Sequence, residues 1–358
     1  MGWRLKFLAK GNSHPPCGAT ASCEKLCLSH ALESNLHHQI IRYIEHGEGN
    51  FADLLVKAHR RQRELCPPYH EYCKGFPAPS VWREIPPLPL GAFRWSRIAT
   101  FPEPEAVRTF RTSGTTGEGY GQHHFATLEV YQAAALAGWR HSGIPGHRVI
   151  GLVPPPTEAP HSSLSTMAGW LVQPEDFFWN QWERLTEFLA SAKEPVVLFG
   201  TALGFLDFFE FLGDRTWTLP AGSAAMETGG YKGTRRNLPK EELYAFFQKH
   251  LGLAADDVWN EYGMTELSSQ FYTRGLGTPH RGGSWVRGLV IDPSTGREVA
   301  VGETGVLVIF DLANIDSSCV LQTQDLAVRH EEGFLLVGRD PAALPRGCSR
   351  AADDLLSR

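Results

Sequence analysis

Between Arg111 and Gly117 the chain reads Arg-Thr-Ser-Gly-Thr-Thr-Gly, a stretch dense in hydroxyls and glycines. Backbone N–H groups in such a loop can wrap around phosphate oxygens. Thr112, Ser113, Thr115 and Thr116 add hydroxyl donors, while Gly114 and Gly117 permit positive φ and let a phosphate approach without meeting a Cβ. A Walker-type loop would set a lysine directly after its last glycine, to reach the outer phosphates. Here Glu118-Gly119-Tyr120-Gly121-Gln122-His123-His124 follows, and the next lysine is Lys193, which argues against that class. In isolation the stretch also reads as a glycine-rich surface turn.

Three later segments carry further chemistry. Glu227-Thr228-Gly229-Gly230-Tyr231-Lys232-Gly233 holds adjacent glycines that can expose backbone to a flat ligand such as a purine, or can simply turn the chain. Asn260-Glu261-Tyr262-Gly263-Met264-Thr265-Glu266 brings an aromatic face, a permissive glycine, a hydroxyl and a carboxylate into one short stretch. Tyr262 can stack on a base, Thr265 can bind a phosphate oxygen, and Glu266 suits a hard cation such as Mg²⁺. The alternative is an ordinary turn entering a helix, with Glu266 in its first turn. In Gln322-Thr323-Gln324-Asp325, followed by Val337-Gly338-Arg339-Asp340, Asp325 can accept two hydrogen bonds from ribose hydroxyls. Arg339 can pair with a phosphate or ribose oxygen.

In this order the segments resemble the signatures of the adenylate-forming superfamily of acyl- and aryl-activating enzymes: a Ser/Thr-Ser-Gly-Thr-Thr-Gly loop, Tyr-Gly-x-Thr-Glu, a ribose aspartate and a hinge-proximal arginine. Within it, Glu227 to Gly233 and Tyr262 to Tyr272 are most similar to the acyl-protein synthetases (LuxE-like) of the bacterial luminescence fatty-acid reductase system. The resemblance implies that ATP and Mg²⁺ activate a carboxylic acid as an acyl-adenylate, with Thr112, Ser113, Gly114, Thr115, Thr116 and Gly117 around the phosphates. Gly229, Gly230, Tyr262, Gly263, Asp325 and Arg339 would hold the nucleotide, and Thr265 and Glu266 the reacting phosphate and metal. The acyl group would then pass to a cysteine thiol, with an acyl-reductase or carrier protein as partner. Cys348 is the candidate acceptor, since Arg346 and Arg350 favour its thiolate.

Two departures from the pattern stand out. Gly119-Tyr120 occupies the place of the usual Pro-Lys, and the chain stops shortly after Arg339, where the superfamily carries a lid of roughly one hundred residues, a separate domain by size. His123 and His124 are candidates to supply the missing donors. A coenzyme A or carrier-protein ligase of the phenylacetate-ligase type, or a catalytically degenerate nucleotide-binding module, remains open.

The elements that must position these residues follow from pattern. Apolar residues three and four apart from Leu32 to about Leu65 predict helices ended by Cys66-Pro67-Pro68, and the proline-rich stretch from Pro77 to Pro89 reads as a linker. Thr127 can cap a helix running to about Gly143. His147–Val153 and Val196–Gly200 read as buried strands, with helices over Trp182–Ala190 and Glu241–His250. Beyond about Gly275 the texture changes to short strands, such as Ser284–Arg287 and Gly305–Phe310. Strands alternating with helices make the expected fold class α/β with a β-rich subdomain, and the resemblance implies the large-domain fold of the adenylate-forming enzymes, with mixed and parallel sheets flanked by helices and lacking the usual C-terminal lid. The expected division is 1–95 as a helical region and linker, 96–275 as the nucleotide- and acyl-binding core, and 276–358 as the β-rich part. Ser162, Ser163, Leu164, Met167 and the residues from Phe199 to Phe205 are candidates to line the acid, though most of those aromatics belong to the core.

Composition narrows the classes. In 358 residues, 42% hydrophobic and 20% charged, a sizeable core is expected, and a net charge of −5 without a basic run argues against nucleic-acid binding. No apolar stretch approaches the about 20 residues needed to span a bilayer. The segment Met1–Lys10 threads charges through its apolar residues, so a cytoplasmic protein is expected. Seven cysteines, an odd number at irregular spacing, read as free thiols, and Cys17, Cys23, Cys27 and His30 lack the paired spacing of a zinc site.

Overall fold

The structure, a computed structural model, describes residues 36–112, 121–229 and 238–339, with Arg339 described in its backbone alone. Its central element is a five-stranded sheet, in spatial order β4 (Arg148–Leu152), β5 (Val196–Thr201), β6 (Ala224–Thr228), β7 (Val258–Tyr262) and β8 (Phe271–Arg274). The first four strands are parallel and β8 returns antiparallel. Every residue of β5, β6 and β7 is buried, as strands covered on both faces must be.

Alternation along each strand divides the core in two. Ile150, Leu152, Leu198, Ala225 and Val258 point to one side and pack with α7 (Trp182–Ser191), α8 (Ala202–Leu212) and α9 (Lys240–Leu251) through Leu185, Leu203, Phe205, Leu243 and Phe247. Val149, Val197, Phe199, Met226 and Trp259 point to the other, under α5 (Glu129–His141) and α6 (Ser163–Leu171). Local chemistry sets the ends of these helices. The Thr201 hydroxyl, at the end of β5, accepts from Gly204 N at 2.9 Å and starts α8, and Gly252 with φ +70° closes α9 in a left-handed turn.

A second sheet runs β1 (Leu88–Pro89), β11 (Val320–His330), β10 (Thr304–Asp311), β9 (Val286–Ile291), with β12 (Gly333–Arg339) also paired to β11. It shares a core with the N-terminal helices: α1 over residues 36–46, α2 (Phe51–Leu65) and α3 (Pro67–Cys73). A buried ion pair ties the two, Asp316 meeting Arg61 at 3.1 Å and His37 Nε2 at 3.0 Å. A two-stranded hairpin pairs β2 (Arg108–Arg111) with β3 (Gln122–Phe125).

Three expectations from the sequence change. Pro67-Pro68 ends α2 but opens α3, because proline at the first helical positions loses no hydrogen bond that the helix would make. The stretch read as a linker is packed structure: Trp82 stands edge-on to Phe51 and Phe310, and Leu88 and Pro89 add a short parallel strand to β11. Trp285 precedes β9 and is buried as a core residue outside it.

Phe247 is fully buried and packs its ring against Phe205 and Phe209 at centroid distances of 4.7 and 5.1 Å. Phe247→Ala should cost about 3–5 kcal/mol of stability, read from the denaturation midpoint in urea.

Candidate active site

The motif residues gather where β7 ends. Tyr262 is its last residue, followed by a turn and not by a helix, so that Gly263, Met264, Thr265 and Glu266 lie at the C-terminal edge of the parallel strands. That edge is where α/β sheets bind their ligands. The Tyr262 hydroxyl donates to Asp325 Oδ2 at 2.8 Å, joining the central sheet to β11 of the second sheet. Its ring is held by Phe271, His280 and Phe334 at centroid distances of 6.2, 6.1 and 5.6 Å. Asp325 and Arg339 are register partners on β11 and β12. Tyr262, Asp325 and the backbone of Arg339 are thus brought together from three strands.

The base of the hydroxyl-rich loop is closed by Thr112 and Gly121. Thr112 N donates to Gly121 O at 2.9 Å, and Gly121 N donates to Thr112 Oγ1 at 2.8 Å. Ser113, Gly114, Thr115, Thr116, Gly117, Gly119 and Tyr120 lie outside the described residues, as do Gly230 and Cys348. Gly229, at φ +79°, turns the chain out of β6. The preceding segment is strand and not turn, so Glu227 is buried, where Lys240 Nζ reaches its Oε1 at 2.7 Å.

Glu266 is buried, and its carbonyl accepts from Asn314 Nδ2 at 2.8 Å. Nearby, Asp311 at the end of β10 is wholly buried and organises the same turn. Ser268 N and Ser269 N donate to its Oδ2 at 3.1 and 2.9 Å, and Ser269 Oγ and Ala313 N to its Oδ1 at 2.6 and 2.9 Å. Burial pushes the Asp311 carboxyl up to about 6, with these donors opposing it.

His123 has a different setting from the phosphate-facing one expected. Its Nδ1 lies 2.9 Å from Thr265 O, which can only accept, so Nδ1 carries the proton. Nε2, 2.9 Å from Ser317 Oγ, therefore accepts from that hydroxyl. Burial holds the ring's pKa down at about 4, so it is neutral and fully engaged with protein. This geometry lets His123 position Thr265. His124 meets Thr109 Oγ1 through Nδ1 at 3.0 Å.

Sequence reasoning missed Asp311, Asn314, Ser317 and Glu261. A polar signal was present for the first two: Asp311 and Asn314 interrupt the apolar run Val306–Ile315, which has no reason to hold them unless they bond within the protein. Glu261 sits on β7 between Asn260 and Tyr262, with 6% of its surface exposed. It accepts from the Thr228 hydroxyl through Oε2, and its Oε1 lies close against Gly263, so a side chain at that position would have to displace the carboxylate. Burial, with Glu227 adding to it, pushes its carboxyl up to about 7.

Comparison with known proteins gives the fold a context. No family model matches the chain, and no curated protein matches its sequence. Solved structures do match. A 2-hydroxyisobutyryl-CoA ligase in the postadenylation state, in complex with 2-HIB-AMP, aligns with a TM-score of 0.60 at 14% identity, over 82% of this chain and 68% of that one. The same ligase with 2-HIB-AMP and CoA in the thioesterification state gives 0.59 at 19% identity, over 80% and 66%. The fold is that of the large domain of adenylate-forming ligases. ATP-bound MatB from Rhodopseudomonas palustris matches more loosely, with a TM-score of 0.47 at 16% identity over 65% of this chain, which spans about half (48%) of that structure. Among the described residues no helix is long and apolar enough to cross a membrane.

Because Glu261 titrates near 7 when folded and near its ordinary 4.5 when unfolded, the folded chain binds the extra proton between those values. Stability from this group is therefore full below about 4.5 and lost as pH rises through about 7. Glu261→Gln removes that loss. Melting curves should show the variant gaining on the parent by up to about 3 kcal/mol between pH 5 and pH 8.

Proposed function

We propose that the protein activates a carboxylic acid with ATP as an acyl-adenylate and then passes the acyl group to a thiol. The observation that carries this is the junction at the end of β7, where the Tyr-Gly-x-Thr-Glu turn, the Tyr262–Asp325 bond and the closed base of the hydroxyl-rich loop converge on a ligase fold. In the first step a carboxylate oxygen attacks the α-phosphorus of ATP in line, the P–O bond to the β-phosphate breaks, and pyrophosphate leaves. Asp325 would accept from ribose hydroxyls, Tyr262 would fix Asp325 and offer its ring to the base, and Thr265, steadied by His123, would donate to the α-phosphate.

Among the described residues no group of three or more His, Cys, Asp or Glu could cage a metal by itself. Mg²⁺ needs none, because it keeps most of its coordination for water and substrate phosphates and takes one or two protein carboxylates, so the buried Glu266 fits. When bound, the ion would neutralise charge on the phosphates during the displacement.

For the second step, the acyl carbonyl carbon is attacked by a thiolate and AMP leaves. Cys66, Cys73 and Cys319 are all buried, and burial raises each thiol above its ordinary value, so none is a ready nucleophile. Of the four cysteines outside the described residues, Cys348 is the one flanked by two arginines, which favours it as acceptor in an acyl-protein synthetase, with an acyl-reductase or carrier protein downstream. Coenzyme A is the second reading, favoured by the CoA that the aligned ligase binds.

ATP–pyrophosphate exchange against a panel of aliphatic, aromatic and amino acids with Mg²⁺ tests the first step. Glu266→Ala should lower exchange by about 10³-fold or more, and unchanged exchange would remove Glu266 from the mechanism. Intact-mass analysis after incubation with ATP and acid tests the second. The parent should gain one acyl adduct that hydroxylamine removes and Cys348→Ser abolishes, whereas acylation appearing on added coenzyme A alone would select the other acceptor.

A further inference from the structure

Ahead of the hydroxyl-rich motif, the short helix α4 (Ala92–Trp95) packs against the β2–β3 hairpin. Phe93 is buried edge-on to the His123 ring, with centroids 5.5 Å apart. The next residue, Arg94, lays its stem beside Gly121: a Cβ on that glycine would stand 3.6 Å from Arg94 Cγ and 2.9 Å from Thr112 Oγ1. Gly121 and His123, two residues apart, share a face of the hairpin, and from that face His123 holds the Thr265 carbonyl. Arg94 and Thr112 therefore meet on the side of the hairpin that is turned toward the reacting end of the site.

The Arg94 side chain is half-buried and uncommitted. Its Nε is shut off from water without a partner, and among the described residues no hydrogen bond or ion pair engages the rest of its guanidinium. The surrounding arginines differ. Arg97 donates to the Phe101 carbonyl and lies over the Phe101 ring at 5.0 Å, Arg108 donates to the Pro160 carbonyl at 3.1 Å, and Arg61 meets Asp316 at 3.1 Å. Arg111 is exposed and, one residue before Thr112, belongs to the opposite face. After Thr112 the next arginine or lysine in the chain is Arg140, on the exposed side of α5. A charge drawn partly out of water is costly without a counter-charge, and a guanidinium presents a fork of N–H donors that matches phosphate oxygens.

We propose that Arg94 is a catalytic residue of the adenylation step, binding the β- and γ-phosphates of ATP and stabilising the departing pyrophosphate. This rests on the adenylation reading given above. As the bond between the α-phosphorus and the bridging oxygen breaks, its electron pair leaves with pyrophosphate. Arg94 transfers no proton and meets that charge with hydrogen bonds alone.

The test uses the full chain, Arg94→Gln, Arg94→Ala, Arg94→Lys and, as a charge control, Arg140→Ala. Arg94→Gln keeps the stem on Gly121 and breaks no hydrogen bond, so its melting midpoint without ligand should match the parent's. Calorimetric titration with inorganic tripolyphosphate and Mg²⁺ needs no acid substrate. The parent and Arg140→Ala should bind it alike, Arg94→Gln and Arg94→Ala roughly 10- to 100-fold more weakly, and Arg94→Lys in between. In ATP–pyrophosphate exchange, Arg94→Gln should lower kcat by roughly 10²- to 10³-fold and raise the KM for pyrophosphate, with Arg94→Lys recovering part of both. A parent that binds no tripolyphosphate, equal binding by the parent and Arg94→Gln, or exchange at the parent's rate in Arg94→Gln would overturn the inference. Binding lost in Arg94→Gln while the parent exchanges with no acid would uphold Arg94 as the polyphosphate ligand and count against the adenylation reading instead.

Discussion

The carboxylate of Asp311 is the constraint on which the site depends. It is sealed from water, an expensive place for a charge, and it is kept there by four donors that would otherwise be unpaired inside the protein. Two of those donors are the backbone N–H groups of Ser268 and Ser269, just past Glu266, and a third is Ala313 N. One side chain at the end of β10 thereby fixes the turn after β7 and the loop after its own strand. The same loop carries Asn314, which holds the Glu266 carbonyl, and Ser317, whose hydroxyl donates to His123 Nε2 and so steadies the ring whose Nδ1 holds the Thr265 carbonyl.

A second seam runs through Tyr262. Its hydroxyl crosses to Asp325, while its ring is clamped by Phe271, His280 and Phe334, and the His280 ring lies nearly parallel to that of Phe334 at an interplanar angle of 12°. Burial, with Lys240 adding to it, holds the His280 pKa at about 3. Being neutral, it can donate from Nε2 to Asn260 Oδ1, whose amide in turn holds the Glu227 carbonyl in β6. The two sheets are thus joined by hydrogen bonds whose geometry is set by packed aromatic rings. A nucleotide held between Asp325 and the end of β7 would meet a preorganised surface, which is what stabilising charge in a transition state demands.

Asp316, at the contact with the N-terminal helices, has both oxygens in ion pairs. Among the described residues, the buried Gln270 Oε1 and Tyr272 hydroxyl, on the hairpin that leads away from the turn after β7, have no hydrogen-bond partner. Such local breaches of the rule that buried polar groups be paired cost stability.

The sequence by itself determined the strand–helix alternation, the buried strands β4 and β5, the helices α7 and α9, and the motif at residues 262–266, because each is set by neighbours within a few residues. It also announced Asp325 and Tyr262 as a pair of candidates, yet not that they touch. Tertiary structure decided that contact, along with the neutral, inward-facing state of His123, the role of Asp311, the packing of the proline-rich stretch around Trp82, and the burial of Glu261. The physical reason is common to all of these. Burial and hydrogen bonding depend on groups far apart in the chain, as with His123 and Ser317, and no local pattern records what a side chain will meet once the sheets close on it.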